Sequence, residues 1–203
     1  MKDDSKKHNR RSDRLRNFDY SQEGMYYVTI RTKNAECFLG NVVEGVMKLS
    51  EEGAITDRCW REIPDHFPNA ELDVFQIMPN HVHGIVIIKM PFVRTRHAVS
   101  LREEGKEKRI SLNRFGKPIS GSLSTIVGSF KSAVSKQAHL AGHKCFSWHG
   151  RFYHHIIRDG RDLDRIRRYI LNNPINWESD DNHPGNIRMD RMHEGEENWS
   201  ALD

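Results

Sequence analysis

Two apolar segments rich in β-branched residues are neighbours in the sequence, with only two residues between them. The first is Leu72–Met78, the second is His81–Ile88, and Pro79 and Asn80 connect them. Segments of this composition and length favour β-strands, and so short a connection joins antiparallel neighbours. We therefore predict a β-hairpin at the centre of the fold, around which the other elements have to be placed.

The remaining segments alternate between strand and helix patterns. Strands show β-branched and aromatic runs, and helices show apolar residues at i, i+3, i+4 and i+7. A second hairpin is indicated by Glu44 and Gly45, which lie between two short strand-like segments. Besides the central hairpin, we predict strands at 25–32, 40–43, 46–49 and 151–157, and helices at 50–61, 122–140 and 159–173.

This order of elements predicts the fold class. A repeated β-α-β unit with an antiparallel sheet is typical of the ferredoxin-like α+β sandwich. We expect helices on one face of the sheet, an extra β-hairpin after the first strand, and a C-terminal helix that bears Tyr169. A (β/α)8 barrel typically needs about 250 residues, so it would barely fit in 203.

The charge is unevenly distributed along the chain. Residues 178–203 contain two arginines and eight acidic residues, a formal charge of −6, whereas the whole chain carries +4. The rest of the chain therefore carries +10, which favours a polyanionic partner and nucleic acid first. We divide the chain into a basic arm (1–20), one domain (21–177) containing a long basic loop (89–120), and an acidic, flexible tail (178–203).

Other features narrow the class of protein. The longest apolar run, Gly84–Ile88, is far shorter than the roughly 18 residues that cross a bilayer, so we expect no membrane partner. The N-terminus has no apolar secretory segment. The three cysteines form neither a CxxC motif nor an evident disulfide framework, which indicates the cytoplasm.

The motif with the clearest chemistry is His81-Val82-His83. Side chains alternate between the faces of a strand, so the two imidazoles point the same way while Val82 points into the core. Two imidazoles about 7 Å apart along a strand can bind one metal ion. The alternative is a pair of surface histidines. A histidine-triad nucleotide hydrolase would need a third histidine where Ile85 stands, and a barrel amidohydrolase would need a longer chain.

A second motif lies on the last predicted helix. Leu163, Ile166 and Ile170 form its buried stripe, Tyr169 lies at the border of that stripe, and Asn173 follows Tyr169 by one turn. A phenol and a carboxamide on one face could supply a nucleophile and an oxygen ligand. A boundary tyrosine and a helix-terminal asparagine without any function remain the alternative.

Together these motifs resemble the single-tyrosine HUH transposases, and in particular the REP-associated tyrosine transposases. The resemblance covers roughly residues 10–178. It is carried by His-hydrophobic-His, by Tyr-Ile-x-x-Asn-Pro beginning at Tyr169, and by four further matches in order. These matches are Arg-Leu-Arg-x-Phe-Asp-Tyr-Ser from Arg14, Met-Pro-Asn-His-Val-His-Gly-Ile from Met78, Phe-Lys-Ser-Ala-Val from Phe130, and Arg-Phe-Tyr-His-His-Ile-Ile-Arg from Arg151.

The resemblance implies a metal-dependent enzyme that cleaves and rejoins single-stranded DNA, often beside a hairpin or palindromic repeat. It implies that His81 and His83 bind Mg or Mn, that Tyr169 is the nucleophile, and that Asn173 is a third ligand, where relatives often have glutamine. It also implies a bacterial, nucleoid-associated protein that is a monomer or a homodimer. For nucleic-acid binding we select cations of the arm, the loop and the helix region: Arg10, Arg11, Arg14, Arg16, Arg94, Arg96, Lys117, Arg151, Arg165 and Arg168.

Two other functions stay open at this point. One is a domesticated nucleic-acid-binding protein that has the same fold but does not cleave DNA. The other is a replication-initiator or relaxase nuclease, which uses a similar histidine pair but carries additional domains. The presence of His81, His83, Tyr169 and Asn173 together favours the transposase.

Overall fold

The computed structural model describes residues 22–89, 119 and 121–186. Its strands are β1 (Gly24–Arg31), β2 (Gly40–Val43), β3 (Val46–Leu49), β4 (Ala70–Met78), β5 (His81–Ile88) and β6 (Tyr153–Ile157). Its α-helices are α1 (Glu51–Arg61), α2 (Ile63–His66), α3 (Leu123–Leu140) and α4 (Gly160–Asn172), with 3-10 turns at Lys33–Ala35 and Trp177–Ser179. None of the helices in these ranges is both long and apolar enough to span a membrane.

Four of the strands form an antiparallel sheet in the order β4-β5-β1-β6. Strands β4 and β5 are joined through Pro79 and Asn80, as the short connection predicts, and β1 lies between β5 and β6. Without the β2–β3 hairpin, this order is that of the ferredoxin-like sandwich. The predicted α+β fold class is therefore confirmed.

Helices α1 and α3 cover one face of the sheet, as expected, and the C-terminal helix α4 covers the other face, which we did not predict. Successive residues of a strand point to opposite faces, so Tyr26, Val28 and Ile30 of β1 enter a core shared with α1 and α3. Tyr27, between them in the chain, points to the other face and packs with Ile166 and Ile170 of α4. The two histidines of β5 also lie on this second face. His83 pairs in register with Thr29, and Thr29 points to the same side of the sheet as Tyr27.

Helix α4 is held on its face of the sheet by burial and by an ion pair. Its N-terminus is capped by Asp159, whose side chain accepts a hydrogen bond from the backbone of Asp162. Ile166 and Ile170 are fully buried. Arg167 donates two-pronged hydrogen bonds to Asp73 of β4, at 2.6 and 3.1 Å. Together these contacts fix the rotation of the helix that carries the tyrosine.

A close contact between β5 and α1 depends on a glycine. A Cβ atom added at Gly84 would lie 2.3 Å from Cζ2 of Trp60, and the Trp60 ring is 1% exposed and packed edge-on against Phe130. Real side chains do not approach this closely. A methyl group at position 84 therefore does not fit beside the Trp60 ring unless the core moves. The glycine therefore allows the aromatic ring to pack directly on the strand that carries the histidine pair.

We expect Gly84→Ala to lower the free energy of unfolding by about 2 kcal/mol or more, because overpacking of this kind forces the core to shift. The measurement is urea unfolding monitored by tryptophan fluorescence. Gly128→Ala is the matched control, because a Cβ at this exposed position of α3 meets nothing within 4 Å. Helix propensity predicts that the control raises stability by about 0.5–1 kcal/mol. Equal stability of the two variants would contradict the packing argument.

The structure of residues 178–186 differs from our prediction for the C-terminal tail. We assigned all of 178–203 to a flexible acidic tail, but Asp180 and Asn182 are buried at 7% and 3% exposure. Hydrogen bonds join this part of the chain to Arg31 of β1, to Asn80 in the β4–β5 turn and to Asn173, which caps the C-terminus of α4. The arm (1–20), residues 90–118 and 120 of the basic loop, and residues 187–203 lie outside the described residues.

Candidate active site

The two histidines of β5 point to the same side of the sheet, as the strand alternation predicts. Both are completely buried, and their Nε2 atoms lie 2.9 Å apart. Two nitrogen ligands at 2.1 Å from one ion, with bonds at right angles, are separated by about 3 Å. The spacing therefore fits two neighbouring ligands of one octahedrally coordinated ion.

The other nitrogen of each ring is held by a hydrogen bond. Nδ1 of His81 lies 2.8 Å from Oδ1 of Asn80. Nδ1 of His83 lies 2.8 Å from the Tyr27 hydroxyl and 2.9 Å from Oγ1 of Thr29. Partners of this kind orient metal-binding histidines and fix which nitrogen carries the proton. Both rings are thus positioned with Nε2 facing the candidate metal site.

Burial also sets the charge of the two histidines. Desolvation and, to a smaller extent, the nearby cation Arg31 lower the pKa of His81, Asn173 opposes them, and the net result is a pKa of about 3. Desolvation, followed by the neighbouring His81, brings the pKa of His83 well below its usual value. Both rings are therefore neutral at pH 7, the form in which imidazole binds metals.

Acid is expected to destabilise the fold before the carboxylates are protonated. The unfolded state binds a proton at His81 below about pH 6.5, whereas the folded state does so only near pH 3. Stability is therefore fully present above pH 6.5 and falls as the pH decreases towards 3. From 1.36 kcal/mol per pH unit, His81 alone accounts for a loss of about 2 kcal/mol between pH 6.5 and pH 5.

The measurement is urea unfolding at pH 7.5 and pH 5 in EDTA. His81→Asn should show a smaller loss between these pH values than the unsubstituted chain. His143→Asn serves as the control, because His143 lies at the surface beside Glu51 and Glu52. If stability is the same at both pH values, the two histidines are not held neutral by burial.

A buried carboxylate completes the set of potential ligands. His81, His83 and Asp180 each offer one atom, and these atoms lie within 4.8 Å of one another. Nδ2 of Asn173 donates to Oδ2 of Asp180 at 2.8 Å. Oδ1 of Asn173 is buried and has no hydrogen-bond partner among the described residues. Two nitrogens, a carboxylate and an unsatisfied amide oxygen form a donor set that suits a divalent cation.

Asp180 is positioned by the segment 177–186, which crosses the histidine pair. Its Oδ1 accepts from the backbone of Asn182 at 2.6 Å, and the backbone oxygen of Asn182 accepts from Nδ2 of Asn80 at 2.7 Å. The Trp177 ring lies 6.0 Å from the His81 ring. We did not predict this residue, since one acid among eight in the C-terminal 26 residues carries no distinguishing pattern.

Tyr169 lies beside the histidine pair of its own chain. Its ring centroid is 5.3 Å from that of His83 and 6.3 Å from that of Tyr27, with edge-on geometry in the second case. Burial raises the pKa of Tyr169, and the carboxylates of Asp180 and Asp181 raise it further. Hydrogen bonds from Asn173 and Tyr27 act in the opposite direction. The structure thus brings together His81, His83, Tyr169 and Asn173.

The predicted DNA-binding residues are only partly within the described ranges. Arg151 and Arg168 are exposed, while Arg165 is half-buried and forms an ion pair with Asp162 at 2.7 Å. Arg31, which we did not select, pairs in register with His81, and its Nη1 lies 3.4 Å from Oδ1 of Asn182. Outside the described residues lie Arg10, Arg11, Arg14, Arg16, Arg94, Arg96 and Lys117.

Comparison with known proteins adds two findings. The fold of the chain is similar to that of a solved REP-associated tyrosine transposase bound to a REP hairpin. The two structures have a TM-score of 0.52 at 18% identity, over 82% of this chain and 74% of the other. This confirms the fold that the sequence resemblance implies.

The chain belongs to the same family as a protein of Haemophilus influenzae that is described only as uncharacterised. The two are 37% identical over 174 residues, which is 85% of this chain and 92% of the relative. No family model matches the sequence.

Proposed function

We propose that this protein is a metal-dependent tyrosine transposase that cleaves and rejoins single-stranded DNA. The observation that carries the proposal is the packing of the Tyr169 ring against the ring of His83, one of two buried imidazoles whose Nε2 atoms lie 2.9 Å apart. A phenol beside a donor set for a divalent cation is an arrangement that would support attack by a tyrosine nucleophile.

The proposed reaction is a transfer of the scissile phosphodiester bond to Tyr169. Tyr169 attacks the phosphorus of the scissile phosphodiester, its oxygen forms the new bond, and the 3′-oxygen of the preceding nucleotide leaves. The product is a 5′-phosphotyrosine and a free 3′-OH. Because the phosphodiester bond is exchanged and not hydrolysed, a second 3′-OH can attack the phosphotyrosine and restore Tyr169 without ATP.

The metal site would be formed by His81 and His83 with oxygen from Asp180, Asn173 or both. Carboxylate and amide oxygens suit Mg or Mn, and imidazole is compatible with both. When bound, the ion would polarise the scissile phosphate and offset the charge that develops there. Such help matters because a free phenol of pKa 10 is only about 0.1% ionised at pH 7, and burial raises the pKa of Tyr169 further.

Hairpin or palindromic single-stranded DNA is the proposed substrate. The support is the fold shared with a transposase whose solved structure contains a REP hairpin, together with the +10 charge of residues 1–177. Arg31 is a candidate for binding the scissile phosphate, because it lies beside His81. The exposed Arg151 and Arg168 are candidates for contacts with flanking phosphates.

The test is the formation of a covalent protein–DNA adduct. The full chain is incubated with end-labelled hairpin oligonucleotides and Mn²⁺ or Mg²⁺, and the products are separated on a denaturing gel. We expect a metal-dependent adduct that retains the label of the 3′ fragment, since the tyrosine takes the 5′-phosphate. Binding of the DNA with no adduct under any of these conditions would instead support a non-catalytic DNA-binding protein.

A further inference from the structure

Tyr27 has no role in the chemistry described so far, yet its ring contacts both His83 and Tyr169. The residue is completely buried in β1, and its ring stacks on His83 with the centroids 5.6 Å apart. The hydroxyl lies 2.8 Å from Nδ1 of His83 and accepts from Oγ1 of Thr29 at 3.1 Å. The same hydroxyl acts to lower the pKa of Tyr169, and the two tyrosine rings meet edge-on with their centroids 6.3 Å apart.

A phenol has one proton, so Tyr27 can donate either to His83 or to Tyr169 but not to both. Thr29 donates to Tyr27, which leaves the proton of Tyr27 available for one of these two acceptors. The choice depends on whether Nδ1 of His83 is an acceptor or a donor. The position of the proton on the His83 ring therefore determines whether Tyr27 donates to His83 or to Tyr169.

Without an ion, the surrounding hydrogen bonds determine both tautomers. Nδ2 of Asn80 donates to backbone oxygens of Ala35 and Asn182, so Oδ1 of Asn80 faces His81 and Nδ1 of His81 carries the proton. Nε2 of His81 is then an acceptor. Nε2 of His83, 2.9 Å away, must donate to it. Nδ1 of His83 is consequently an acceptor, and Tyr27 donates to it.

Binding of a divalent cation by His81 and His83 would reverse this arrangement. His83 then has no proton at Nε2 and, being neutral, carries one at Nδ1, so the number of protons on the ring is unchanged. Nδ1 of His83 becomes a donor to Thr29 or Tyr27. The proton of Tyr27 is released from His83, and the remaining acceptor is the oxygen of Tyr169.

The geometry points to Tyr27 as a positioning residue for Tyr169, whose hydroxyl turns from His83 to the nucleophile when the histidine pair binds a divalent cation. This inference rests on the proposed function of the site. In the bound state the Tyr27 hydroxyl holds the Tyr169 oxygen in place and stabilises the negative charge that it acquires as it attacks. Metal binding is thereby coupled to the positioning of the Tyr169 oxygen.

The kinetic test compares two neighbouring tyrosines in the full chain. Tyr27→Phe removes the hydroxyl and keeps the ring, and Tyr26→Phe does the same for an equally buried tyrosine that points to the opposite core and hydrogen-bonds Gln22. A hydrogen bond to a developing charge is worth about a 10- to 100-fold change in rate. We expect Tyr27→Phe to reduce the adduct-forming rate at saturating DNA by this factor, with the half-saturating DNA concentration unchanged.

Tyr26→Phe should leave both kinetic values unchanged. If Tyr27→Phe does not fold, Thr29→Val breaks the same hydrogen-bond chain, while Thr29→Ser keeps the hydroxyl and should retain the rate. Full activity of Tyr27→Phe would overturn the inference while leaving the proposed function intact. An absent adduct in the unsubstituted chain would instead refute the proposed function.

A second measurement does not depend on activity. Long-range 1H–15N spectra of the 15N-histidine-labelled chain report which nitrogen of each ring is protonated, with His83 assigned from the spectrum of His83→Gln. We expect Nε2–H of His83 without an ion and Nδ1–H after addition of MgCl2. Nδ1–H under both conditions would overturn the reversal of the Tyr27 hydrogen bond, whether or not the protein cleaves DNA.

Discussion

Tyr169→Phe is expected to abolish the covalent DNA adduct, because the substitution removes the only oxygen of the proposed nucleophile. The effect on the fold should be small. The ring still packs against His83 and Tyr27, so that only the contacts of one hydroxyl group are lost, which are worth about 1 kcal/mol. DNA affinity should therefore remain close to that of the unsubstituted chain.

The measurements are a denaturing gel with labelled hairpin DNA for the adduct and fluorescence anisotropy for binding. Tyr153→Phe is the matched control, since Tyr153 belongs to the same cluster and its ring lies 6.1 Å from that of Tyr27. The control should form the adduct at a normal rate. An adduct that persists in Tyr169→Phe would assign the nucleophile to another residue, and Tyr153 would be the first to examine.

Replacement of either histidine is expected to lower the affinity for Mn²⁺ at least a hundredfold and to eliminate the adduct. Each imidazole would supply one of the two nitrogen ligands, and both rings are completely buried, so no solvent molecule could take the place of either without rearrangement. His83→Ala tests this directly by isothermal titration with MnCl2. Unchanged affinity in this variant would mean that the ion binds elsewhere.

The same titration separates the two candidate oxygen ligands. Asp180→Asn should weaken Mn²⁺ binding more than Asn173→Ala, because a carboxylate contributes a full negative charge to the site and an amide does not. Asp181→Asn is the matched control, since Asp181 is the next residue but is exposed. If only Asn173→Ala weakens binding, the ligand set implied by the sequence resemblance is correct and Asp180 is a neighbour of the site.

Much of the fold could be predicted because residue patterns within short segments of the sequence specify its strands and helices. The hairpin at Pro79 and Asn80 follows from two strand-like segments with a two-residue connection, and α4 follows from its apolar spacing and from Asp159. The histidine pair could be found for the same reason, since alternation along one strand places both rings on one face. Each of these inferences uses residues that are close in sequence.

The parts that could not be predicted depend on contacts between distant segments. Asp180 reaches the site only because Asn80 and Asn173 bind the segment that carries it. Tyr27 and Thr29 stand in a run of apolar and β-branched residues, where they resemble ordinary strand positions. Their polar atoms face His83 because β1 pairs with β5 in one particular register, and no local pattern specifies that register.

The burial of the histidine pair has a kinetic consequence. With both rings inaccessible to solvent beneath residues 177–186, an ion can reach Nε2 only while that segment is lifted. Loading is then limited by the frequency of opening and not by diffusion, so its rate should reach a plateau as the metal concentration rises. A bound ion would leave just as slowly, and the protein would retain it through a brief exposure to chelator.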